Sequence, residues 1–281
     1  METFADPKAI QHRAIEARAM GKRLALVPTM GSLHAGHVAL IREARGRADI
    51  ATVSIFVNPT QFGPNEDFAS YPRTPQADQA ICRSEGVDWV FLPTPEAVYG
   101  GDFGVYVEVE RWSQKLCGAF RPGHFRGVAT VVLKLFNLCQ PHVAVFGWKD
   151  AQQFLLLRRM VKALNAPVEM IGVETVREPD GLALSSRNQR LSPQERRQAP
   201  ALAEALRLAQ ESAAEGAAQT GPELVEIVRR HIEERTTAQI DYVEAVSMRD
   251  LEPIGPILPG ETLLALAVRF GSTRLIDNVR M

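Results

Sequence analysis

The feature that most constrains the fold of this chain is a regular alternation of short apolar runs with helix-like stretches. The apolar runs have the length of strands and are rich in Val, Ile and Phe: Leu24–Val27, Ile50–Val57, Val87–Leu92, His142–Phe146 and Val168–Val173. The stretches around them carry helical patterns or helix-end signals: Pro7–Met20, His37–Arg47, Thr74–Glu85 with Thr74 as the N-cap, Gly127–Leu138 and Asp150–Leu164. This alternation predicts an α/β domain with a doubly wound parallel sheet covered on both faces.

The pattern changes after Val173, where a polar stretch replaces the alternation. Two helices are predicted next, Pro193–Ala214 and Pro222–Arg235, and then two strands, Ile240–Val246 and Thr262–Phe270. We therefore predict two domains, residues 1–175 and residues 176–281, of which the second is a smaller α+β domain.

Composition excludes several classes of protein. The chain has 281 residues, of which 46% are apolar, so it can bury a core and does not belong to a disordered or fibrous class. Lys and Arg number 32 against 33 for Asp and Glu, a net charge of −1. No bulk electrostatic field therefore predicts a nucleic acid or an anionic membrane as the partner.

The cysteines and the apolar runs indicate the compartment. Cys82, Cys117 and Cys139 are odd in number and form no Cys-x-x-Cys pair, which argues against a disulfide framework or a zinc cluster. The longest apolar run, Leu263–Val268, is far shorter than a membrane span, and the start of the chain has no signal-peptide pattern. A soluble cytoplasmic protein is expected.

The first candidate binding cluster runs from Pro28 to His37, where a buried strand is followed by a helix. Ligands of open α/β sheets bind at that edge, and a helix N-terminus offers unpaired N–H groups to a phosphate. Gly31 and Gly36 let a phosphate approach the backbone, and His34 and His37 are spaced to face one ligand. Two histidines that only cap and pack are the alternative; a zinc site lacks a third ligand at a recognisable spacing.

The second cluster, Asn58 to Gly63, follows another buried strand and is expected at the same edge of the sheet. Gln61 has a neutral amide with two donors and an acceptor, which suits a carboxylate or hydroxyl ligand. An ordinary turn with an exposed Gln61 remains the alternative.

The third cluster, Gly147 to Gln153, also stands at a strand end that opens a helix. At about 4 Å and an effective dielectric near 20, the Lys149 ammonium stabilises one phosphate charge by about 4 kcal/mol before desolvation. Asp150 is interpreted as a helix N-cap rather than a metal-linked group, and Gln153 is placed to face the same cleft. His37 and Lys149 are therefore both expected at strand ends of one rigid sheet.

The fourth cluster, Leu184 to Asn188, lies on the connection between the two predicted domains. The hydroxyls of Ser185 and Ser186 and the guanidinium of Arg187 suit a phosphate clamp that closes over a bound nucleotide. A capping turn with a surface arginine explains the same residues equally well.

Together these motifs resemble the pantothenate synthetase family, ATP-dependent ligases that join pantoate to β-alanine. The resemblance runs from about residue 22 to Asn278 and also includes the segments Ser54–Gly63, Tyr71–Thr74, Gly123–Gly127 and Thr273–Asn278. It implies a Rossmann-like nucleotidyltransferase domain with a His-x-Gly-His motif, a C-terminal lid domain and a homodimer.

The resemblance also implies roles for individual residues. Gln61 and Gln153 would hold pantoate, with Gln61 also near β-alanine, and His37 would donate a proton. Contacts to ATP are implied for a larger set: Met30, Gly31, Ser32, Leu33, His34, Ala35, Gly36, His37, Gly147, Trp148, Lys149, Asp150, Val176, Leu184, Ser185, Ser186 and Arg187. The chain departs from the family at Trp148, usually Glu, at Thr60, usually Met, and at Ala151, usually aromatic.

The four clusters and the family resemblance together predict one reaction. The pantoate carboxylate attacks the α-phosphate of Mg-ATP, while His34, His37, Lys149 and Arg187 offset the repulsion between the two anions. The amine of β-alanine then attacks the acyl adenylate and releases AMP. No resident metal site is predicted. An adenylyltransferase of the same superfamily is the alternative enzyme, and a non-catalytic nucleotide-binding regulator on the same fold is the alternative from another class.

Overall fold

The computed structural model describes residues 1–64 and 66–281. Backbone contacts group the chain into two compact units. The first consists of Met1–Ser113, Arg121–Trp148 and Gln153–Glu174, and the second of Gln114–Phe120, Lys149–Gln152 and Thr175–Met281. Two short segments from within the predicted first domain, residues 1–175, therefore belong to the second unit.

The first unit is built on a six-stranded parallel sheet, which confirms the predicted doubly wound α/β fold. Its strands are β1 Glu2–Phe4, β2 Leu24–Thr29, β3 Ile50–Ile55, β4 Trp89–Phe91, β5 Val143–Gly147 and β6 Glu169–Val173. Their order is β1-β4-β3-β2-β5-β6, and every pair is parallel. The order of the strands reverses between β2 and β5, the point at which ligands of open α/β sheets bind.

Helices alternate with these strands as the sequence pattern predicts. In the first unit they are α1 Pro7–Ala19, α2 Ala35–Arg47, α3 Pro75–Ser84, α4 Pro95–Tyr99 and α6 His124–Cys139; α5 Cys117–Phe120 lies in the second unit, and α7 Ala151–Ala163 begins there and continues into the first. Ile41 and Ala44 of α2 and Cys82 of α3 pack in one core cluster with apolar residues of the sheet such as Val53. This packing fixes the helix N-termini at the carboxyl ends of the strands.

The second unit contains a three-stranded antiparallel sheet, β7 Gln239–Ser247, β8 Thr262–Phe270 and β9 Thr273–Arg280, in the order β7-β8-β9. Helices α8 Pro193–Gln198, α9 Ala201–Ala214 and α10 Gly221–Arg235 precede it. Apolar residues of α9 and α10, such as Leu202 and Leu224, share one core cluster with the sheet.

One predicted element of this unit is wrong. A single helix was expected over Pro193–Ala214, but the helix breaks between Gln198 and Ala201. Pro200 has no N–H to donate, and its ring opposes an uninterrupted helical backbone at this point. The break divides the stretch into α8 and α9.

Among the helices of residues 1–64 and 66–281, none is both long enough and apolar enough to cross a bilayer.

Candidate functional site

The loop after β2 has an unusual backbone that a buried carboxylate holds in place. Gly31 and Ser32 both have positive φ, 82° and 52°, a region that side chains disfavour. The carboxylate of Asp78 accepts hydrogen bonds from the N–H groups of Ser32 at 3.0 Å and Leu33 at 2.8 Å. A Cβ added to Gly31 would lie 2.9 Å from this carboxylate, so the loop needs glycine there for space as well as for conformation.

Asp78 was not among the residues identified from the sequence. It lies in the first turn of α3, where a helix favours negative charge, and is only 1% exposed. The hydroxyl of Thr74, the predicted N-cap, donates to Asp78 Oδ1 at 3.2 Å rather than capping the backbone. Burial and the charge of Asp78 raise the pKa of the Cys82 thiol to about 11. The carboxylate therefore positions the loop after β2 without lying in it.

The two histidines of the first cluster both bind the backbone at the start of α2. Nδ1 of His34 accepts from the N–H of Gly36 at 3.1 Å, and Nδ1 of His37 accepts from the N–H of His34 at 3.2 Å. The ring centroids lie 4.2 Å apart. In a neutral ring that accepts at Nδ1, the proton must be on Nε2. Capping at Nδ1 therefore fixes the tautomer of each neutral ring.

Gln61 lies in a 3-10 turn, Pro59–Gln61, that is joined to the first cluster. Its Nε2 donates to Sδ of Met30 at 3.0 Å, and its Oε1 accepts from Nδ2 of Asn58 at 3.1 Å. Asn58 is 1% exposed and also accepts from Tyr99 Oη at 2.6 Å. The prediction that the second cluster lies near the first is confirmed by this contact, and the exposed-turn alternative is wrong because Gln61 is only 8% exposed.

Helix α6 supports this turn at very close range. A Cβ on Gly127 would lie 2.3 Å from the carbonyl oxygen of Thr60, so only glycine permits the approach. His124 Nδ1 lies 2.8 Å from the carbonyl oxygen of Gln61, and Arg121 forms a two-point ion pair with Glu66 at 2.8 and 2.5 Å. Burial opposes the charge of Glu66, but the hydrogen bonds and charge of Arg121 outweigh it and lower the pKa of Glu66.

The third cluster divides between the two units. Lys149 follows the end of β5, a neighbour of β2 in the parallel sheet, so the prediction that His37 and Lys149 follow strand ends of one sheet is confirmed, although Lys149 itself groups with the second unit. Trp148 belongs to the first unit, where its ring lies 4.5 Å from that of Phe154 and fills the space beside Gly172. Lys149 belongs to the second unit, and its Nζ lies 3.9 Å from Oδ2 of Asp150.

The end of this cluster is also divided. Gln152, which sequence reasoning missed, is 7% exposed; its side chain accepts from the N–H of Cys117 at 3.0 Å and donates to the carbonyl of Lys115 at 2.7 Å, all within the second unit. Gln153 is half-buried and lies in the first unit.

The fourth cluster follows a short backbone loop in the second unit. Arg177 and Ala183 form an antiparallel bridge, and the N–H of Leu184 donates to the carbonyl of Val176 at 3.0 Å. Ser185 caps the following 3-10 turn, because its Oγ accepts from the N–H of Arg187 at 3.2 Å. The capping interpretation is thus confirmed for Ser185, and the binding role of the cluster stays a prediction.

The predicted site residues therefore form two sets. The first unit holds Met30–His37, Gln61 and Gly147 at the carboxyl ends of the adjacent strands β3, β2 and β5, together with Trp148 and Gln153. The second holds Lys149, Asp150, Val176 and residues 184–187. Across residues 1–64 and 66–281, no group of three or more His, Cys, Asp or Glu side chains is arranged to hold a metal ion.

A helix capped by two histidines stands at the switch point of the parallel sheet. Comparison with known proteins identifies the family of the chain. A family model described as pantoate-beta-alanine ligase matches residues 2–280. The chain belongs to the pantoate–β-alanine ligase family. The match covers both units, so neither is an addition to the family's architecture.

Individual members of the family are similar over their whole length. The pantothenate synthetase of Syntrophotalea carbinolica is 51% identical over 278 residues, which cover 99% of this chain and 98% of the relative. The crystal structure of the Thermus thermophilus enzyme has a TM-score of 0.94 and 42% identity, covering 100% of this chain and 99% of that one.

A third relative carries ligands. The pantoate–β-alanine ligase of Francisella tularensis, crystallised with β-γ ATP and β-alanine, is 33% identical with a TM-score of 0.81, covering 100% of this chain and 97% of that one.

Proposed function

We propose that this chain joins pantoate to β-alanine at the expense of ATP, by way of a pantoyl-adenylate intermediate. As a member of the pantoate–β-alanine ligase family the chain is an AMP-forming ligase, and the Francisella relative was crystallised with a form of ATP and with β-alanine. The observation that carries the site assignment is the pair His34 and His37, whose capping bonds fix N–H donors at the sheet edge where β2 ends.

In the first step a pantoate carboxylate oxygen attacks the α-phosphorus of ATP. The new P–O bond forms as the bond to pyrophosphate breaks, and negative charge grows on the phosphoryl oxygens and the leaving group. His34, His37, Lys149 and Arg187 stabilise that charge, and His37 supplies a proton to it. Mg²⁺ enters with the nucleotide as Mg-ATP, so its ligands include phosphate oxygens.

The backbone of residues 30–37 complements these side chains. Gly31 and Gly36 leave room for the side chains of Asp78 and His34, because a Cβ on either glycine would lie 2.9 Å from them, and Asp78 fixes the backbone of the loop through the N–H groups of Ser32 and Leu33. Gly147, Val176 and residues 184–186 complete the ATP site.

In the second step the neutral amine of β-alanine attacks the acyl carbon of the adenylate. The C–N bond forms, the C–O bond to AMP breaks, and the amine nitrogen loses a proton to solvent. Gln61 and Gln153 orient the pantoyl group through their amides, and Gln61 also faces β-alanine. Its bonds to Met30 and Asn58 hold the Gln61 amide in register with the ATP site.

The assay that tests this function measures AMP and pantothenate formed from ATP, Mg²⁺, pantoate and β-alanine. We expect both products together only when all substrates are present. ADP and phosphate would mean attack at the γ-phosphate and would overturn the assignment. AMP transfer to a phosphate acceptor without an amide would favour the adenylyltransferase, and nucleotide binding without turnover would favour a regulator.

We further propose that the protein is a homodimer, as the resemblance implies, and that it is cytoplasmic, as the unpaired cysteines indicate. Light scattering of the purified chain would measure its mass in solution. A mass near that of one 31.0 kDa chain would contradict the dimer.

A further inference from the structure

Two consecutive polar residues of β9, Asp277 and Asn278, are buried and have no assigned role. They are 3% and 7% exposed and end the segment Thr273–Asn278, which helped to establish the resemblance. Buried polar side chains are retained where they are hydrogen-bonded, so their partners indicate what they do.

The side chain of Asn278 binds the backbone of the only lysine among the predicted ATP ligands. Its Nδ2 donates to the carbonyl oxygen of Lys149 at 2.9 Å, and both residues belong to the second unit. The bond fixes the backbone from which the Lys149 ammonium extends and does not involve the ammonium itself. Asn278 thus helps to determine the position of the Lys149 ammonium.

Asp277 binds the loop that leads into the fourth cluster. Its two carboxylate oxygens accept from Nη1 and Nη2 of Arg177 at 2.6 and 3.0 Å, and Oδ1 also accepts from the N–H of Asn278 at 2.8 Å. Arg177 Nη1 donates in addition to the carbonyl of Gly181 at 3.1 Å. Burial alone would lower the pKa of Arg177, but the hydrogen bonds and charge of Asp277 raise it above its ordinary value, as expected for a well-formed ion pair.

Asp277 and Asn278 together connect two segments that carry predicted ATP ligands. One residue of β9 holds the Lys149 segment, its neighbour holds the loop that leads into residues 184–187, and the hydrogen bond between the two neighbours fixes their relative orientation.

We propose, on the basis of the function proposed above, that Asp277 and Asn278 are positioning residues for adenylation. They hold Lys149 and the segment 176–187 in one fixed arrangement on the second unit, so that the ammonium and the phosphate clamp reach the triphosphate together. Neither residue touches substrate. Catalysis falls steeply when a group is displaced by about 1 Å, with losses of roughly 10²-fold, so a single bond to the Lys149 carbonyl is enough to matter.

A purely structural role predicts different behaviour. A variant that only weakens β9 would lower stability and would act equally on every substrate and in every mutant background. A positioning role predicts a loss in kcat for adenylation while KM for pantoate is kept, because Gln61 and its partners lie in the first unit. It also predicts that the loss depends on the Lys149 side chain.

The experiment uses the full chain and follows pyrophosphate release from ATP and pantoate. Asn278→Asp keeps the shape of the side chain but replaces the donor with an acceptor facing the Lys149 carbonyl, and Asn278→Ala removes the bond if the first variant does not fold. We expect kcat to fall by about 10- to 100-fold with KM for pantoate within about twofold of wild type. Asp277→Asn should show the same split.

Thr262→Val is the matched control. Thr262 is buried in the same sheet, and its hydroxyl bonds the N–H and the carbonyl of Leu258 at 2.9 and 3.0 Å. It contacts neither the Lys149 segment nor the segment 176–187 through these bonds, so the kcat of the variant should be unchanged. In the Lys149→Ala background, Asn278→Ala should cost little more, whereas in the Gln61→Ala background it should cost its full factor.

A wild-type kcat in a folded Asn278 variant would overturn the proposal, as would equal losses in both backgrounds. Absence of pyrophosphate release in the wild type would instead overturn the proposed function, so the two failures are distinguishable.

Discussion

At the scale of single residues, the side chains that we propose to bind ligands also stabilise the local backbone. His34 and His37 cap α2 through Nδ1, and Ser185 caps the turn that carries Arg187. In each case the structural bond is compatible with the contact to a ligand that we propose for the residue or its neighbour. Capping and binding are therefore not competing explanations of these residues, although the sequence alone presents them as alternatives.

Lys149 is the residue whose removal tests the charge argument most directly. Lys149→Ala should fold normally, because its backbone contact to Asn278 uses the carbonyl and does not depend on the side chain. Turnover should fall by roughly 10²–10³, the usual scale for one preorganised charge-stabilising group. Single-turnover measurement of pantoyl-adenylate formation checks this.

Lys162→Ala provides the control, since Lys162 lies in the last turn of α7 and carries the same charge. Near-wild-type adenylation in Lys149→Ala would show that Lys149 is an ordinary surface charge.

The residues that sequence reasoning found and missed differ in the distance of their partners along the chain. The histidines and Gln61 stand directly after apolar runs, so the rule that ligands bind at strand ends finds them. Asp78 acts on residues 45 and 46 positions earlier, and Asn278 acts on one 129 positions earlier. Such partners become known only when the fold brings them together.

At the scale of elements, the predicted strands of the parallel sheet are all present because their sequences are short apolar runs, most of them buried, with β6 a partly buried edge strand. The three-residue β1 and the charge-bearing β9 lack that signal, since β1 is a short edge strand and Arg274 and Asp277 interrupt the apolar residues of β9. The departure from the family at Trp148 also becomes interpretable at this scale. Trp148 is 8% exposed and fills space against Phe154 and β6, which is a packing role.

The contact between Trp148 and β6 predicts a coupled pair of substitutions. A Cβ at Gly172 would lie 2.4 Å from Nε1 of Trp148, so Gly172→Ala should destabilise the protein by roughly 1–3 kcal/mol. Trp148→Ala alone should cost about 3–5 kcal/mol through lost packing. With the indole gone the added methyl has room, so the double variant should be no less stable than Trp148→Ala. Urea unfolding of the four proteins measures this cycle.

Gly46→Ala is the control for the glycine substitution itself, because a Cβ there meets nothing within 4 Å. Additive losses in the double variant would mean that Gly172 is required for its backbone and not for the indole.

At the scale of the whole molecule, the site residues are divided between two units, and the division does not follow the order of the sequence. His37 and Gln61 belong to the first unit, whereas Lys149 and Arg187 belong to the second. A break in the sequence pattern near residue 175 predicts a domain boundary there. It does not predict that the four residues Lys149–Gln152 group with the second unit. The association of Lys149 with the second unit depends on contacts such as its bond to Asn278.

This division leads to a prediction about the fate of the adenylate. We expect residues 184–187 to cover the bound intermediate, as the resemblance to a family with a lid domain implies, so Arg187→Ala should expose the acyl phosphate to water. The variant should turn over more slowly and also raise the ratio of AMP to pantothenate, because some adenylate is hydrolysed before the amine captures it. Both products are quantified in the same reaction.

Gln61→Ala separates loss of coupling from loss of binding. Gln61 belongs to the first unit and is tied to Met30, so its removal should weaken pantoate binding while each adenylate formed still proceeds to pantothenate. The product ratio should then stay at that of the wild type even though the rate falls. An unchanged ratio in Arg187→Ala as well would leave Arg187 as a fixed phosphate ligand, and protection of the intermediate would have to come from the first unit alone.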